Sequence, residues 1–474
     1  MTAGSTAAAK AAGSAAVSMA PGSAAVSMSP GGAAATMAAD SAADALAAAK
    51  ADAGRTRAAQ LVAACAKRRA RLLAQLPAGA VAVLHTAPAA VRNGDSHYPY
   101  RHDSAFYYLI GFTEPDSALV LVAARGARAA RSLLFCRPKN PEREIWDGFR
   151  YGPEAARQAF GVEQAYAIDE LDNELARLRA EWPDCAGDTI DLLPLLAEMR
   201  LVKDDVEQAA MQRAAAISAH AHVRVMQQAR AGMHEYELEA ELLYACRRAG
   251  AQAQAYPPIV AAGAHACVLH YSANDGVARD GDLVLIDAGC ELDGYASDIT
   301  RTWPVNGRFT APQRQLYELV LAAQQAALAA VIPGQPYAGI HAAAVQVLAQ
   351  GMLDLGLLDK NRCGSAADVI ADKRHLQFYM HGTGHWLGLD VHDVGAYRVP
   401  PAAPAADQHS RALQAGMVLT VEPGIYVRPA PGVPEPYWNT GIRIEDDVLV
   451  TATGHTVLSA AAPKSVADIE KLMQ

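Results

Sequence analysis

Apolar residues from about position 57 onwards recur at two spacings, one typical of helices and the other typical of strands. Helical spacing runs through residues 61–76, and short apolar runs predict strands at 81–84, 118–122 and 133–135. Because strands alternate with helices in this part, we predict a smaller α/β domain over residues 57–192.

A second segment, residues 193–474, opens with an apolar stretch and continues with two longer predicted helices. The helices cover about 204–229 and 235–250, and strands and helices in mixed order follow them to the end of the chain. We place the domain boundary near 190–196. The predicted fold class is therefore α/β, or α+β, with the smaller domain first and the larger domain second.

The first 56 residues differ in composition from the rest of the chain. They are rich in Ala, Ser, Gly and Met and hold almost no branched or aromatic side chains that could be buried. Such a segment gains too little from burial to offset the entropy lost on ordering. We therefore predict a disordered low-complexity leader or an over-long translation start. A targeting segment is the alternative, but a basic start and a compact apolar stretch are not evident.

Composition and charge exclude several classes of function. The chain has 474 residues, 51% of them apolar and 19% charged, with a formal net charge of −9. No apolar stretch approaches the ~20 residues of a membrane helix, and no basic cluster suits the phosphates of a nucleic acid. We therefore expect neither a membrane nor a nucleic acid as a partner.

The seven cysteines are scattered along the chain and include no C-x-x-C pair. This pattern argues against a disulfide framework and against a zinc–thiolate site. It favours reduced thiols and a cytoplasmic location. Any metal ion would have to be held by other residues.

Two aspartates lie on either side of a predicted tight turn. An apolar strand ends at Asp287, the Asp293-Gly294 dipeptide predicts the turn, and a second strand begins near Asp298. In such an antiparallel hairpin Asp287 and Asp298 lie within a residue or two of each other across the strands. Carboxylates that close can share one cation, although each could instead cap a loop or pair with Arg301.

Three histidines, His381, His385 and His392, fall within twelve residues. The glycines between them argue against a helix and place the imidazoles on a loop or a strand edge. A single histidine on an apolar strand is more often a hydrogen-bonded structural residue. Three of them in a glycine-rich stretch make a functional site about as plausible as that structural role.

Two glutamates also follow apolar strands. Glu422 ends one such run directly before a Pro-Gly pair, and Glu445 ends another in which apolar and polar positions alternate. The alternation places Arg443 and Glu445 on one face of the strand, so a simple ion pair between them is the alternative. We interpret Asp446 and Asp447 as ordinary turn residues.

Together these positions supply four carboxylates, one imidazole and no sulfur: Asp287, Asp298, His385, Glu422 and Glu445. Such a set suits two hard divalent cations held ~3.5 Å apart by bridging carboxylates. The oxygen-rich ligands favour Mn²⁺, with Zn²⁺, Co²⁺ or Fe²⁺ as alternatives, because sequence fixes the type of ligand better than the metal.

These motifs resemble those of the pita-bread metallopeptidases, and among them the Xaa-Pro aminopeptidases (aminopeptidase P). The matching stretches, in the family's order, are 285–289, 297–301, 381–393, 421–424 and 441–446. The aromatic stretch 98–112 looks like part of the aminopeptidase P amino-terminal domain. The resemblance covers about 57–474 and implies a pita-bread catalytic domain over residues 193–474.

The resemblance implies a role for each metal ligand. Asp287 would chelate one ion, Asp298 and Glu445 would bridge both ions, and His385 and Glu422 would complete the shell of the second. A hydroxide bridging the two ions would attack the scissile carbonyl. Glu422 would also carry the proton to the leaving proline nitrogen.

The resemblance also implies a set of residues around the substrate. His270, His381 and His392 would line the pocket, and His392 would stabilise the tetrahedral intermediate. Arg443 would orient Glu445, and Tyr426 is a weaker pocket candidate. An arginine of the family's pocket falls in the altered loop 397–411, where Arg398 and Arg411 both remain candidates.

The resulting expectation is a metallo-aminopeptidase that acts on peptides with proline at the second position. Prolidase, which cleaves Xaa-Pro dipeptides with the same ligands, is the alternative, and a non-catalytic peptide-binding pita-bread protein is a more distant one. The family commonly forms dimers or tetramers, so we also expect a homo-oligomer by resemblance.

Overall fold

The structure is a computed structural model that describes residues 30–181, 190–399 and 409–474. The described residues divide into two units, which separate after Ala59. Helix α1 (Pro30–Leu73) begins inside the Ala/Ser-rich leader and so includes residues 30–56, for which the sequence predicted disorder. Alanine has the highest helix propensity of all residues, so a segment with little to bury can still be helical. The other part of the leader, residues 1–29, lies outside the described residues.

The first part of the chain forms one four-stranded sheet with helices around it. Its further elements are β1 (Val81–His85), β2 (Val91–Asn93), β3 (Ser96–His97), α2 (Ser104–Ile110), β4 (Ala118–Val122), β5 (Arg131–Cys136), α3 (Pro141–Asp147), α4 (Gly152–Phe160), β6 (Gln164–Ala167) and α5 (Leu171–Glu181). The strand order is β1-β4-β5-β6, with β5 and β6 parallel and the other pairs antiparallel. Every residue of the central strand β4 is buried, as expected for a strand covered on both faces. The predicted strands at 81–84, 118–122 and 133–135 are thus confirmed.

The second part is larger and mixes helices with short strands. It begins with α6 (Leu193–Leu201), α7 (Asp205–Gln228), α8 (Glu235–Arg248), β7 (Ala253–Gln254), β8 (Ile259–Ala262), β9 (Leu283–Asp287), β10 (Cys290–Leu292), β11 (Tyr295–Ala296), β12 (Thr300–Pro304), α9 (Ala311–Ala329) and α10 (Ala338–Asp354). It continues with α11 (Lys360–Cys363), α12 (Ala366–Ala371), β13 (Arg398–Val399), β14 (His409–Ser410), β15 (Val418–Val421), β16 (Gly424–Val427), β17 (Thr440–Arg443), β18 (Asp446–Val450), β19 (His455–Val457) and α13 (Val466–Leu472). In the described part of the chain, no helix has both the length and the apolar character needed to cross a bilayer.

A local sequence signal explains where helix α7 begins. The side chain of Asp204 accepts hydrogen bonds from the backbone N–H groups of Val206 and Glu207, and the Glu207 side chain accepts from the backbone of Asp204. This reciprocal capping satisfies N–H groups that a helix start otherwise leaves unpaired. The predicted helices at about 204–229 and 235–250 are confirmed as α7 and α8.

The strands of the second part pair in small antiparallel sheets that surround a cavity. Three of these sheets have the orders β12-β9-β8, β15-β18-β19 and β16-β17. Large buried side chains such as Trp303, Tyr317 and Trp386 join these sheets to the helices in one hydrophobic core. Close packing on this scale holds the strand ends in fixed positions, and the predicted carboxylate ligands lie at or next to those ends.

Asp446 and Asp447 are fully buried and lie within β18, so our interpretation of them as turn residues is wrong. Asp446 accepts a hydrogen bond from Arg301 at 2.7 Å and contacts Lys464. Asp447 accepts from the backbone N–H of Asp298 at 3.0 Å. Buried carboxylates persist only with such partners, because taking an unpaired charge out of water is costly.

Candidate active site

One side of the site is built by the paired strands β9 and β12. The register places Asp287, the last residue of β9, opposite Thr300 of β12, so that Asp298 lies only two residues from that position. The hydroxyl of Tyr256 donates to Asp287 Oδ1 at 2.6 Å and also contacts Asp298 Oδ1. The predicted proximity of the two aspartates is therefore confirmed.

Two glutamates extend from neighbouring strand ends. Glu422 follows β15, and its backbone N–H donates to the carbonyl of Thr383 at 2.8 Å. Glu445 follows β17, and its backbone N–H donates to the carbonyl of Thr300 at 3.0 Å. The Thr300 hydroxyl donates to Glu445 Oε2 at 2.6 Å, so one threonine fixes both the backbone and the side chain of this glutamate.

The glycine-rich segment places His385 among these carboxylates. The Nδ1 of His385 donates to the carbonyl of Trp386 at 3.0 Å, which leaves Nε2 as the free acceptor, 3.4 Å from Asp298 Oδ2. A hydrogen bond of this kind fixes the tautomer of a histidine that binds metal. At Gly384 an added Cβ would lie 2.0 Å from the carbonyl oxygen of Thr420, so glycine is required for the close approach of the two chains.

The donor atoms fit the pair of cations inferred from the sequence. Asp298, His385 and Glu445 are buried, and each offers one ligand atom within 4.8 Å of the others. Glu422 Oε1 lies 3.9 Å from His385 Nε2, and Asp287 is joined to Asp298 through Tyr256. Carboxylate oxygens and an imidazole nitrogen are suitable ligands for a first-row divalent metal.

The site carries more carboxylates than the basic side chains beside them can balance. Burial, together with repulsion from neighbouring carboxylates, raises the pKa values of Asp298 and Glu445 well above their ordinary values. Burial and the charge of Glu445 raise the pKa of Glu422 to about 8. Bound divalent cations would reverse this repulsion and hold the carboxylates ionised.

Arg443 is the buried cation of the site. It donates to Asp287 Oδ2 at 2.6 Å, to the hydroxyl of Tyr426 at 2.8 Å and to the hydroxyl of Thr300 at 3.2 Å. Burial acts to raise the pKa of Asp287, but the attraction of Arg443 and the hydrogen bonds from Tyr256 and Arg443 together outweigh burial, and this pKa lies below its ordinary value. Arg443 thus binds Asp287 directly and connects to Glu445 through the hydroxyl of Thr300.

A cavity of about 770 Å³ opens over these groups. The predicted site residues that line it are Asp287, Asp298, His385, Glu422, Glu445, His270, His381, His392 and Arg443. Tyr426 is 2% exposed, and its hydroxyl lies 2.9 Å from Nε2 of His381. It therefore supports the wall of the cavity from behind.

Two histidines of the wall have lowered pKa values. Burial and the charge of Arg443 lower the pKa of His381 to about 4. Burial, followed by the neighbouring His385, also lowers the pKa of His392. The rings of His385 and His392 stack with centroids 3.9 Å apart, so the position of one ring depends on the other.

The two arginines of the altered loop have different environments. Arg411 donates to Glu198 at 2.8 Å and to the carbonyl of Ala396. Arg398 lines a smaller cavity of about 420 Å³, which shares Tyr337 and Tyr397 with the larger one. Of these two arginines, Arg398 is the one that the structure places beside the site. Residues 400–408 of the altered loop lie outside the described residues.

Three polar residues of the site were missed by sequence reasoning. Tyr256 joins two of the aspartates, Thr300 holds Glu445, and Asp447 holds the backbone of Asp298. Asp447 and Thr300 bind Asp298 and Glu445, which lie 149 and 145 residues away along the chain. No local pattern signals contacts over such distances. Only the position of Asp447, two residues beyond a predicted ligand, offered a clue.

Replacement of Tyr256 by Phe is expected to weaken metal binding while leaving the fold intact. Burial and the nearby aspartates raise the pKa of this phenol well above its ordinary value, so the hydroxyl stays protonated and donates to the carboxylates. Loss of such an outer hydrogen bond typically lowers metal affinity by about 10- to 100-fold. Calorimetric titration with Mn²⁺ measures the change, and an affinity equal to that of the wild type would show that the hydroxyl does not orient the ligands.

Comparison with known proteins places these observations in a family. Residues 209–452 match the model of metallopeptidase family M24, and residues 65–183 match the model of the aminopeptidase P N-terminal domain. The Xaa-Pro aminopeptidase of Haemophilus influenzae is 42% identical over 427 residues, covering 86% of this chain and 96% of the relative. Human Xaa-Pro aminopeptidase 3 is 38% identical over 415 residues, covering 81% of this chain and 79% of the relative.

Solved structures agree with the sequence matches. An aminopeptidase from Pseudomonas aeruginosa is 43% identical with a TM-score of 0.81, covering 87% of this chain and 98% of that one. A zinc-substituted aminopeptidase P from Escherichia coli, in complex with product, is 40% identical with a TM-score of 0.80 and the same coverage. The chain therefore belongs to metallopeptidase family M24 and carries the N-terminal domain of aminopeptidase P.

Proposed function

We propose that the chain is a metal-dependent Xaa-Pro aminopeptidase, which hydrolyses the bond between an N-terminal residue and a following proline. The observation that carries the proposal is the buried cluster of Asp298, His385 and Glu445, in the wall of a cavity that Glu422 also lines. The names of relatives that are about 40% identical over most of the chain support the substrate class. Prolidase is not favoured by these relatives.

The metal requirement is a pair of divalent cations, with Asp287, Asp298, His385, Glu422 and Glu445 as their ligands. Mn²⁺ is the proposed physiological ion, because four of the five ligands are carboxylates. When bound, the cations polarise the scissile carbonyl and acidify the attacking water. Their positive charge also compensates the repulsion among the buried carboxylates.

Glu422 is the proposed general base and acid. Its carboxylate lies in the cavity wall, 3.8 Å from His381 and 3.9 Å from His385. It accepts a proton from the attacking water and then delivers that proton to the nitrogen of the leaving proline. Bound cations would hold this carboxylate ionised, so that it can accept the proton.

Histidines of the cavity wall bind the substrate and the developing oxyanion. His392 donates a hydrogen bond to the tetrahedral intermediate, an interaction that lowers the barrier because it strengthens only in the transition state. His270 and His381 contact the peptide from the other walls. Apolar side chains of the same cavity, including Ile259, Leu269 and Val391, offer the surface that a proline ring requires.

The decisive assay compares an Xaa-Pro-Yaa tripeptide with the corresponding Xaa-Pro dipeptide. We expect release of the first residue from the tripeptide, loss of activity with a chelator, and recovery on addition of Mn²⁺. A peptide with alanine in place of proline is the matched control and should be a poor substrate. Cleavage of the dipeptide alone would favour prolidase, and no cleavage of either peptide by the metal-loaded protein would refute the proposal.

We also propose that the protein is a cytoplasmic homo-oligomer, either a dimer or a tetramer. The surface of α3 and the residues after it support self-association, because Ile145, Trp146 and Phe149 are 83%, 82% and 65% exposed, and large exposed apolar side chains often mark an interface. Free cysteines throughout the described residues agree with a reducing compartment. Light scattering after size-exclusion chromatography measures the subunit number.

A further inference from the structure

The aromatic stretch of the first domain carries an arginine that contacts the second domain. Arg101 donates to the carbonyl of Leu389 at 2.6 Å, to Glu291 at 2.8 Å and to the hydroxyl of Ser104 at 2.9 Å. Leu389 belongs to the glycine-rich segment that carries His385 and His392. One guanidinium therefore ties the start of α2 to the active-site segment.

The next contact continues along the same segment. The hydroxyl of Ser104 donates to Asp390 Oδ1 at 2.6 Å, and Arg200, from the end of α6, donates to Asp390 Oδ2 at 2.7 Å. The side chain of Asp390 thus accepts from both parts of the chain. A side chain held through both oxygens loses most of its freedom to rotate, and its backbone is fixed with it.

Beyond His392, the segment ends in a buried ion pair. The side chain of Asp393 is 1% exposed and accepts from Lys203 at 3.0 Å and from Arg200. The backbone N–H of Asp393 donates to the carbonyl of Trp386 at 2.8 Å. A Cβ at Gly388 would lie 2.2 Å from Asp393 Oδ2, so the segment folds tightly around this carboxylate.

His392 lies between these two fixed aspartates and stacks on His385. None of the groups that hold the segment lines the cavity. They contact the segment at positions outside the cavity lining. Any effect that they have on the reaction therefore passes through the segment, which contributes Val391 and His392 to the cavity wall.

We propose that Arg101, Ser104 and Arg200 are positioning residues that hold His392 in place, so that the first domain takes part in catalysis through the 389–393 segment. The inference rests on the proposed function, in which His392 stabilises the transition state. Arg101 has three separate acceptors that a lysine could not reach together. Loosening the segment would move the His392 donor away from the oxyanion, and small displacements of such donors are costly to catalysis.

The test is a double-mutant cycle between Arg101→Gln and His392→Ala, measured on an Xaa-Pro-Yaa peptide. We expect Arg101→Gln to lower kcat by about 10-fold with little change in KM, the range seen for outer positioning groups. In the His392→Ala background, Arg101→Gln should have almost no effect on kcat, because the effects of substitutions at interacting residues are not additive. Ser104→Ala should act in the same direction without removing a charge.

Arg157→Gln is the matched control, since Arg157 forms an exposed pair with Glu154 within the first domain. It should leave kcat unchanged. The positioning role is refuted if Arg101→Gln keeps full kcat. It is also refuted if Arg101→Gln lowers kcat by the same factor in the His392→Ala background as in the wild type. Arg101→Lys should keep only part of the wild-type activity.

Hydrogen exchange separates this inference from the proposed function. The backbone N–H groups of Gly388 and Asp393 donate to the carbonyls of Asp390 and Trp386, respectively. Both N–H groups should exchange faster in Arg101→Gln than in the Arg157→Gln control. If the wild-type protein cleaves no Xaa-Pro peptide, the proposed function fails, and exchange alone then decides whether Arg101 holds the segment. Unchanged exchange would overturn the proposal in either case.

Discussion

Replacement of Glu422 by Gln is expected to lower kcat for an Xaa-Pro-Yaa peptide by about 1,000-fold, within the range for removal of a general acid–base group. The amide keeps the size of the side chain and one oxygen that can bind metal. It cannot accept and release a proton at neutral pH. The expected defect is therefore in the chemical step, with KM changed much less than kcat.

Metal content has to be measured on the same preparation, because Glu422 is also a proposed ligand. Asp298, His385 and Glu445 remain in the variant, so at least one divalent ion per chain should persist by elemental analysis. Glu435→Gln, at an exposed position, is the control and should keep full activity. If metal-loaded Glu422→Gln retained more than a tenth of the wild-type kcat, Glu422 could not be the proton carrier.

The positions of the aspartates could be predicted because their geometry is local. Asp293 and Gly294 adopt positive φ angles of 51° and 80°, and such a turn fixes which residues face each other on the two arms. Once the turn is known, the proximity of Asp287 and Asp298 follows by counting residues. The strands that precede Glu422 and Glu445 could also be predicted, because a local run of apolar or alternating positions marks each of them.

The groups that support the ligands could not be predicted, because their partners come from distant parts of the chain. Thr300 and Glu445 are separated by 145 residues, and Arg101 and Leu389 by 288. Hydrophobic periodicity specifies which face of a strand is buried, but it does not specify which strand lies beside it. Asp446 was misinterpreted for this reason: a carboxylate in a short polar run is typical of a turn unless a cation lies opposite.

That cation is Arg301, and its replacement by Met is expected to destabilise the fold by about 3–5 kcal/mol, the typical cost of breaking a buried ion pair by removing one partner. The Arg301 side chain is fully buried and donates to Asp446 and to the carbonyl of Glu445 at 2.6 Å. Methionine fills much of the space but leaves Asp446 with Lys464 as its remaining cationic partner. The midpoint of urea unfolding measures the loss.

Arg314→Met is the matched control, because Arg314 pairs with Glu470 at the surface with 46% of its side chain exposed. Such exposed pairs contribute about 0–1 kcal/mol. Adding Asp446→Leu to Arg301→Met should restore part of the stability, since it removes the uncompensated charge.

Burial acts to raise the pKa of Asp446, but Arg301 and Lys464 hold it below its ordinary value. The pair therefore stabilises the fold above that ordinary pKa, and its contribution falls as the solution is acidified. A midpoint for Arg301→Met equal to that of Arg314→Met, or a double variant less stable than Arg301→Met alone, would show that the buried pair does not hold β12 against β18.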